Sequence, residues 1–167
     1  AYMQAGGTIE DIYNGNSPLQ ITDKRTGEVT PPLSNYGDYS YGYVNMIRAT
    51  ALSINTPFVE MNNEMGPGKT HEAAVKLGLP EDTLGLDDTI RNVLGSASPH
   101  NLDLTRAYAT IASGGLRSTP HIIKEVTRYD GEQIYQAPSA YSIPKSFPLR
   151  FRACRPVPSG DPVKKLE

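Results

Sequence analysis

From Tyr43 onward apolar and polar residues alternate in steps of three and four, a spacing that predicts helices. Val44, Ile47 and Ala51 share one helical face and Phe58, Met61 and Met65 share the next, so two short helices are expected to meet near residue 55. A third helix is expected over about 69–77, with Ala73, Ala74 and Leu77 inward, Gly78 as its stop and Pro80 reinforcing it. In the fourth, Leu104, Ala107, Tyr108 and Ile111 fall at i, i+3, i+4 and i+7, Asn101 or Ser98 is available as N-cap, and Gly114-Gly115 closes the far end. Residues 122–126 and 133–135 then flank Asp130-Gly131, a hairpin signature. Ahead of Tyr43, Gly6-Gly7, Asn14-Gly15-Asn16, Thr26-Gly27 and Pro31-Pro32 interrupt every period, which leaves short strands and turns. Loops, helices and a closing hairpin predict an α+β fold without internal repeats.

Composition changes this picture at the C-terminal end. The 167 residues carry 16 Lys and Arg against 18 Asp and Glu. Residues 1–137 are net −6, whereas 138–167 are net +4 and hold six of the 14 prolines. Such proline density breaks helices and central strands, so 138–167 is expected to be an extended or disordered tail. It ends in Leu166-Glu167, which resembles a cloning scar, and the abrupt change suggests a cloning boundary or a shifted reading frame. The overall charge of −2 argues against a protein that holds nucleic acid by phosphate attraction. Cys154 has no partner in the chain, and no apolar run approaches the roughly 18 residues that span a bilayer.

Candidate chemistry lies where the first two helices meet. Pro57 has no amide hydrogen and disfavours helical backbone at Thr56, so Thr56 is expected as N-cap, Pro57 as the first helical residue and 53–55 as a turn. A sharp turn can aim the Ser53 hydroxyl and the Asn55 amide at one point, where they could relay a proton and hold a carbonyl. Alone, a Ser-x-Asn pair is a common turn sequence.

The surroundings are more specific. Asn35-Tyr36, then the run from Tyr41 through Ser53-Ile54-Asn55-Thr56-Pro57 to Val59, resembles the second-motif region of penicillin-binding protein transpeptidase domains, especially the class A, bifunctional kind. Ala74-Val75-Lys76-Leu77-Gly78 is similar to the family's Ala-x-x-Leu-Gly segment. Leu94-Gly95, the segment from Leu102 to Gly115, Pro120 and Val126 to Gly131 are similar to the helix and hairpin that follow, so the resemblance covers about 30–136 in order. It implies the mainly helical lobe of the serine penicillin-recognising transpeptidase fold with a C-terminal hairpin, packed beside a mixed sheet. It also implies peptidoglycan cross-linking by serine acyl transfer, with stem peptides and β-lactams as ligands and no cofactor. The intact protein would then work at the outer face of the cell membrane. By the same resemblance Ser53 passes a proton between the lysine of a Ser-x-x-Lys motif and the leaving or incoming amine. Asn55 hydrogen-bonds that lysine and the substrate's peptide carbonyl.

Two family motifs are missing from these residues. Ser17, Ser34 and Ser40 are not followed by lysine three positions on, and Lys-Thr-Gly does not occur. Ser142-Ile143-Pro144-Lys145 has the spacing of the first motif but follows Ser53 and contains a helix-breaking proline, and Arg25-Thr26-Gly27 imitates the third motif in the wrong order. The chain is therefore expected to be a partial transpeptidase domain over 1–137, inactive alone. It should expose apolar surface and associate with itself or with the remainder of the domain. A small non-enzymatic interaction module is the second reading, and it leaves the ordered run of family-like segments unexplained. Gly66-Pro67-Gly68-Lys69-Thr70 resembles the end of a phosphate-binding loop but has Asn63 at the first glycine position and follows a helix, so a helix-to-helix turn is expected. His71, His100 and His121 lack ligand spacing, and Asp87-Asp88 is expected at a helix start, so no metal site is expected. Tyr36, Tyr39, Tyr41 and Tyr43 could line a groove; they are expected to pack their loop against the helices with hydroxyls toward water.

Overall fold

The computed structural model describes residues 1–138 and the backbone of 141–142. Its fold is α+β. Strands β1 (Ile12–Asn14) and β2 (Tyr43–Asn45) pair antiparallel with Tyr13 opposite Val44. Helices α1 (Met46–Ala51), α2 (Asn55–Met65), α3 (Pro67–Leu77) and α4 (Asn101–Ala112) follow. Strand β3 (Leu116–Arg117) pairs with β6 (Tyr141–Ser142), and β4 (Glu125–Thr127) pairs with β5 (Gln133–Gln136), all antiparallel. β6 lies past residue 137, the expected domain boundary; residues 139–140 and 143–167 of the Pro-rich segment, including Pro144 and Lys145, are outside the described residues.

The first helix departs from its expected face. Asn45 is extended and its side-chain oxygen accepts the Arg48 amide at 3.0 Å, so helix begins only at Met46. Val44 is buried as a strand residue, Met46 and Ala49 turn inward, and Ile47 is left 54% exposed. α2 buries more of its circumference than an apolar stripe predicts: Thr56, Pro57, Val59, Met61, Asn62 and Asn63 are all buried. The polar members are satisfied. Asn62 Nδ2 donates to the Ile90 carbonyl (3.0 Å) and to Asn92 Oδ1 (2.9 Å), while its Oδ1 accepts the Thr70 hydroxyl (2.6 Å). Asn63 Nδ2 donates to the Thr22 carbonyl at 2.7 Å and its Oδ1 accepts the Lys24 amide at 2.9 Å, which ties the 22–24 loop to the helix.

α3 starts two residues earlier than expected because Pro67 takes the first helical position, where its missing N–H costs nothing. It ends at Gly78, whose φ of 131° favours glycine. α4 is capped by extended His100, with Asn101 already helical, not by Asn101 or Ser98. Ala107 packs on Leu79 and Leu86, but Leu104 and Tyr108 of the same expected face are 43% and 67% exposed, because the helix docks on α3 through its Ala107 side. In the hairpin, Ile122 and Ile123 stay outside β4 and are exposed. The connection is a five-residue loop, 128–132, closed by Arg128 N–H to the Glu132 carbonyl (2.7 Å), in place of a two-residue Asp-Gly turn. A register shift between Val126 and Thr127 accompanies it.

The interior is four small clusters, three of them around α2. Ile21, Leu33, Val59 and Ile90 form one; Tyr13, Met46 and Met61 another; Val44, Ala49 and Ile54 a third; Leu79, Leu86 and Ala107 lie under α3 and α4. Beside the second, the Tyr13 hydroxyl donates to Glu64 (2.9 Å), and burial with these neighbours raises its phenol above the ordinary value.

Candidate functional site

The site is built where α1 hands over to α2. The Ile54 amide donates to the Ala49 carbonyl (3.0 Å) and the Ser53 amide to the Thr50 carbonyl (3.2 Å), the paired bonds of a Schellman ending. Ile54 and Ala49 also pack together in one cluster with Val44, the apolar contact that accompanies this ending. The position after the cap in such an ending is left-handed and is ordinarily glycine. Here it is Ser53, at φ 52°. A side chain in that region costs about 1–2 kcal/mol of backbone strain that glycine escapes, so the serine is held against the local preference.

Helix α2 then starts at Asn55, with Ile54 as its N-cap. Thr56 is therefore not the expected N-cap, and Pro57 is the third helical residue in place of the first, still within the first turn where a missing N–H is harmless. Isoleucine has no side-chain oxygen for the amides of that turn, which lack carbonyl partners within the helix. Asn35, twenty residues upstream, supplies it. Its Oδ1 accepts the Asn55 amide at 3.0 Å, the Thr56 amide at 3.1 Å and the Thr56 hydroxyl at 3.3 Å. Its Nδ2 donates to the Gly15 carbonyl (2.9 Å) and the Tyr39 carbonyl (3.0 Å). Ser34 adds a second strap, its carbonyl accepting from Asn55 Nδ2 at 3.0 Å.

Ser53 and Asn55 therefore share one junction but not one environment. Ser53 is exposed, and its hydroxyl has no hydrogen-bond partner among the described residues. Asn55 is half-buried, with one amide hydrogen engaged and its Oδ1 without a partner among the described residues. The arrangement offers a hydroxyl without a partner among the described residues, two positions before a carboxamide whose backbone is fixed, groups whose chemistry can relay a proton and hold a carbonyl.

The tyrosines do not behave alike. Tyr41 packs on the Val44, Ala49 and Ile54 cluster as expected, whereas Tyr36, Tyr39 and Tyr43 are 90%, 64% and 76% exposed. The loop that carries them is anchored through Asn35 and the backbone, so it needs no ring burial to be held.

The other sequence candidates resolve as turns. Of the Gly66–Thr70 run only Gly66 (φ 90°) lies between α2 and α3; residues 67–70 already form the first turn of α3 because Pro67 takes the first helical position, and the Thr70 hydroxyl donates to Asn62 Oδ1. Arg25-Thr26-Gly27 forms a turn around Asp23, with the Gly27 amide on the Asp23 carbonyl at 2.8 Å and the Arg25 amide on Asp23 Oδ1. The Arg25 amide and guanidinium hold the Asp23 carboxyl below its usual value. Asp87 and Asp88 do not start a helix. Asp87 Oδ1 accepts the Thr89 hydroxyl, and Asp88 meets His71 Nδ1 at 2.9 Å across from α3, because the chain there turns into a single 3₁₀ turn at Asn92–Leu94. Among the described residues no group of His, Cys, Asp and Glu could hold a metal ion, and no helix is long and apolar enough to cross a membrane.

The family model of the penicillin-binding protein transpeptidase domain matches residues 5–146. The chain belongs to that family. Within curated members, penicillin-binding protein 1B of Escherichia coli is 31% identical over 128 residues, covering 76% of this chain and 15% of that protein. Penicillin-binding protein 1A of Neisseria cinerea is 27% identical over 132 residues, covering 78% and 16%. The chain thus spans about a sixth of the length of these penicillin-binding proteins. The fold agrees: the crystal structure of penicillin-binding protein 1A from Haemophilus influenzae superposes with a TM-score of 0.67 at 22% identity, over 85% of this chain and 20% of that one. PonA1 from Mycobacterium tuberculosis, solved in complex with penicillin V, gives 0.65 at 23% identity, over 81% and 38%. The transpeptidase match takes in Asn35, Ser53 and Asn55 together and runs past residue 137.

Asn35 and Ser34 were not singled out from sequence as partners of Asn55. The only signal was that Asn35-Tyr36 opens the family-like run; nothing in a separation of twenty residues tells a remote helix cap from a loop asparagine.

Proposed function

We propose that this chain carries the Ser-x-Asn part of a peptidoglycan D,D-transpeptidase, with Ser53 and Asn55 as catalytic residues. The observation that carries the reading is a serine kept in a left-handed position that suits glycine, with its hydroxyl unpartnered among the described residues, inside a chain of the transpeptidase family. In that role the Ser53 oxygen passes a proton between an activating lysine and the amine that leaves or attacks. The open Oδ1 of Asn55 accepts from that lysine, and its remaining amide hydrogen donates to the substrate's peptide carbonyl. The nucleophilic serine and its lysine come from outside these residues, since no serine before Ser53 has the lysine it needs. Stem peptides and β-lactams are the proposed ligands of the assembled domain, at the outer face of the cell membrane. The remainder of the domain is the proposed partner, with the exposed side of α4 at Leu104 and Tyr108 available to it.

A chimera tests this. The aligned segment of the E. coli penicillin-binding protein 1B transpeptidase domain is replaced by this chain and labelled with a fluorescent penicillin. The chimera is expected to form a covalent adduct, and Ser53→Ala or Asn55→Ala to slow its acylation by about 10²–10⁴-fold. The 167-residue chain by itself is expected to take no label. Unchanged acylation in both variants would remove Ser53 and Asn55 from the chemistry.

A further inference from the structure

We infer that Asn35 is the positioning residue of the Ser53-Ile54-Asn55 element, and that it locks the tyrosine loop at 36–39 to the same point. The inference rests on the reading of Ser53 and Asn55 given above and adds to it the group that sets their backbone. Three observations converge on Asn35. It is 4% exposed, so its amide cannot exchange partners with water. Its oxygen takes the two amides at the start of α2 that Ile54, the residue in the capping position, has no side-chain oxygen to satisfy. Its nitrogen donates to carbonyls in two different loops, Gly15 and Tyr39, and Tyr39 ends the loop bearing the 90% exposed Tyr36.

The chemistry of the side chain follows from these partners. The position needs an acceptor on one side and two donors on the other, which a carboxamide provides and a carboxylate or hydroxyl does not. The neighbouring Ser34 carbonyl holds Asn55 Nδ2, so one two-residue segment fixes both the backbone and the side chain of Asn55. A small displacement of a catalytic group costs about 10²-fold in rate, so a buried amide that sets the helix start controls the reactive geometry without touching substrate. The Tyr39 bond makes the coupling two-sided: a ligand that moves the tyrosine loop pulls on the residue that caps α2.

The test uses the full 167-residue chain and then the chimera. In amide hydrogen exchange by NMR, Asn35→Ala is expected to speed exchange at Asn55 and Thr56 by about 100-fold more than at core amides such as Met61, a local opening rather than a global one. Asn35→Asp keeps the acceptor and loses the donors. It should leave Asn55 and Thr56 protected to within about threefold, while the Tyr41 amide, bonded to the Gly15 carbonyl at 3.1 Å, exchanges faster. In the chimera, Asn35→Ala should slow acylation about 10- to 100-fold, and Asn35→Asp should recover most of that loss. Asn62→Ala, which breaks another buried asparagine hub, serves as the control at matched loss of global stability and should slow acylation far less. The inference is overturned if Asn35→Ala leaves Asn55 and Thr56 as protected as in the parent, or if Asn62→Ala slows acylation equally. If Asn35→Ala does not fold, exposure of the Asn55 and Thr56 amides in Asn35→Asp overturns it instead. Ser53→Ala separates the two failures: acylation insensitive to Ser53→Ala sinks the functional reading. Sensitivity to Ser53→Ala without sensitivity at Asn35 sinks this one alone.

Discussion

The α1–α2 junction and the α4 region are built from similar amounts of apolar residue, yet one closes on itself and the other does not. At the junction Ile54, Thr56 and Val59 are at most 1% exposed, and the polar groups beside them find partners in loops 15–17, 34–35 and 22–24. On α4, Leu102, Leu104 and Tyr108 are 61%, 43% and 67% exposed, and Arg106 Nε is buried without a hydrogen-bond partner among the described residues. The difference is one of where the partners lie in the chain. The junction draws on residues within about forty positions, all of them described, whereas Leu104 and Tyr108, one turn apart on the outer side of α4, are left uncovered by any described element. The junction is thereby a self-contained scaffold for the Ser-x-Asn element, and the outer side of α4 is left uncovered by the described residues.

If that contrast is correct, the two regions should respond oppositely to truncation. Ile54→Ala is expected to cost about 2–4 kcal/mol, because it empties a site that is 1% exposed and already tight against Val44 and Ala49. Asn62→Ala comes next at about 1–3 kcal/mol, through the Ile90, Asn92 and Thr70 groups it leaves unpaired. Urea melts of the purified chain measure both. The double change Leu104→Gln and Tyr108→Gln should alter stability by no more than about 0.5 kcal/mol, and it should lower binding of the apolar dye ANS and concentration-dependent association. A loss comparable to that of Ile54→Ala would mean the α4 face is already covered, and the contrast would fall.

The same contrast explains what could be read from the sequence. The third helix over about 69–77, the fourth around 104–111, the break at Gly66 and the hairpin were legible because each is set by local periodicity and by glycine or proline, whereas residues 67–70, expected in the turn, belong to α3. The inward faces were legible only in part. Val44 has the spacing of a helical residue but is buried in β2, since pairing with Tyr13 is a contact across thirty residues that periodicity cannot carry. Asn62 and Asn63 are among the most buried residues of α2, and a hydrophobic pattern treats them as surface. Ser53 and Asn55 were visible through the family-like run around them, whereas Asn35 was not, because its role exists only once the loop and helix are brought together. The left-handed backbone at Ser53 was hidden for a related reason: serine gives no sequence sign of positive φ, and it takes the fold to impose it.

That backbone gives the most pointed prediction. At φ 52° the Ser53 side chain pays for a conformation that glycine adopts freely, while glycine in turn loses more entropy on folding. The two terms partly cancel, so Ser53→Gly should stabilise the chain by about 0.5–1 kcal/mol. Ser53→Ala, which keeps the strain and removes only an exposed hydroxyl without partners, should leave stability within about 0.5 kcal/mol. In the chimera both should slow penicillin acylation alike, because both lack the oxygen. Stability and chemistry would then move in opposite directions at one residue, the outcome expected where a strained side chain is held for what it does. If Ser53→Gly instead destabilised the chain while acylation stayed at the parental rate, the serine would be a structural ending to α1 and nothing more.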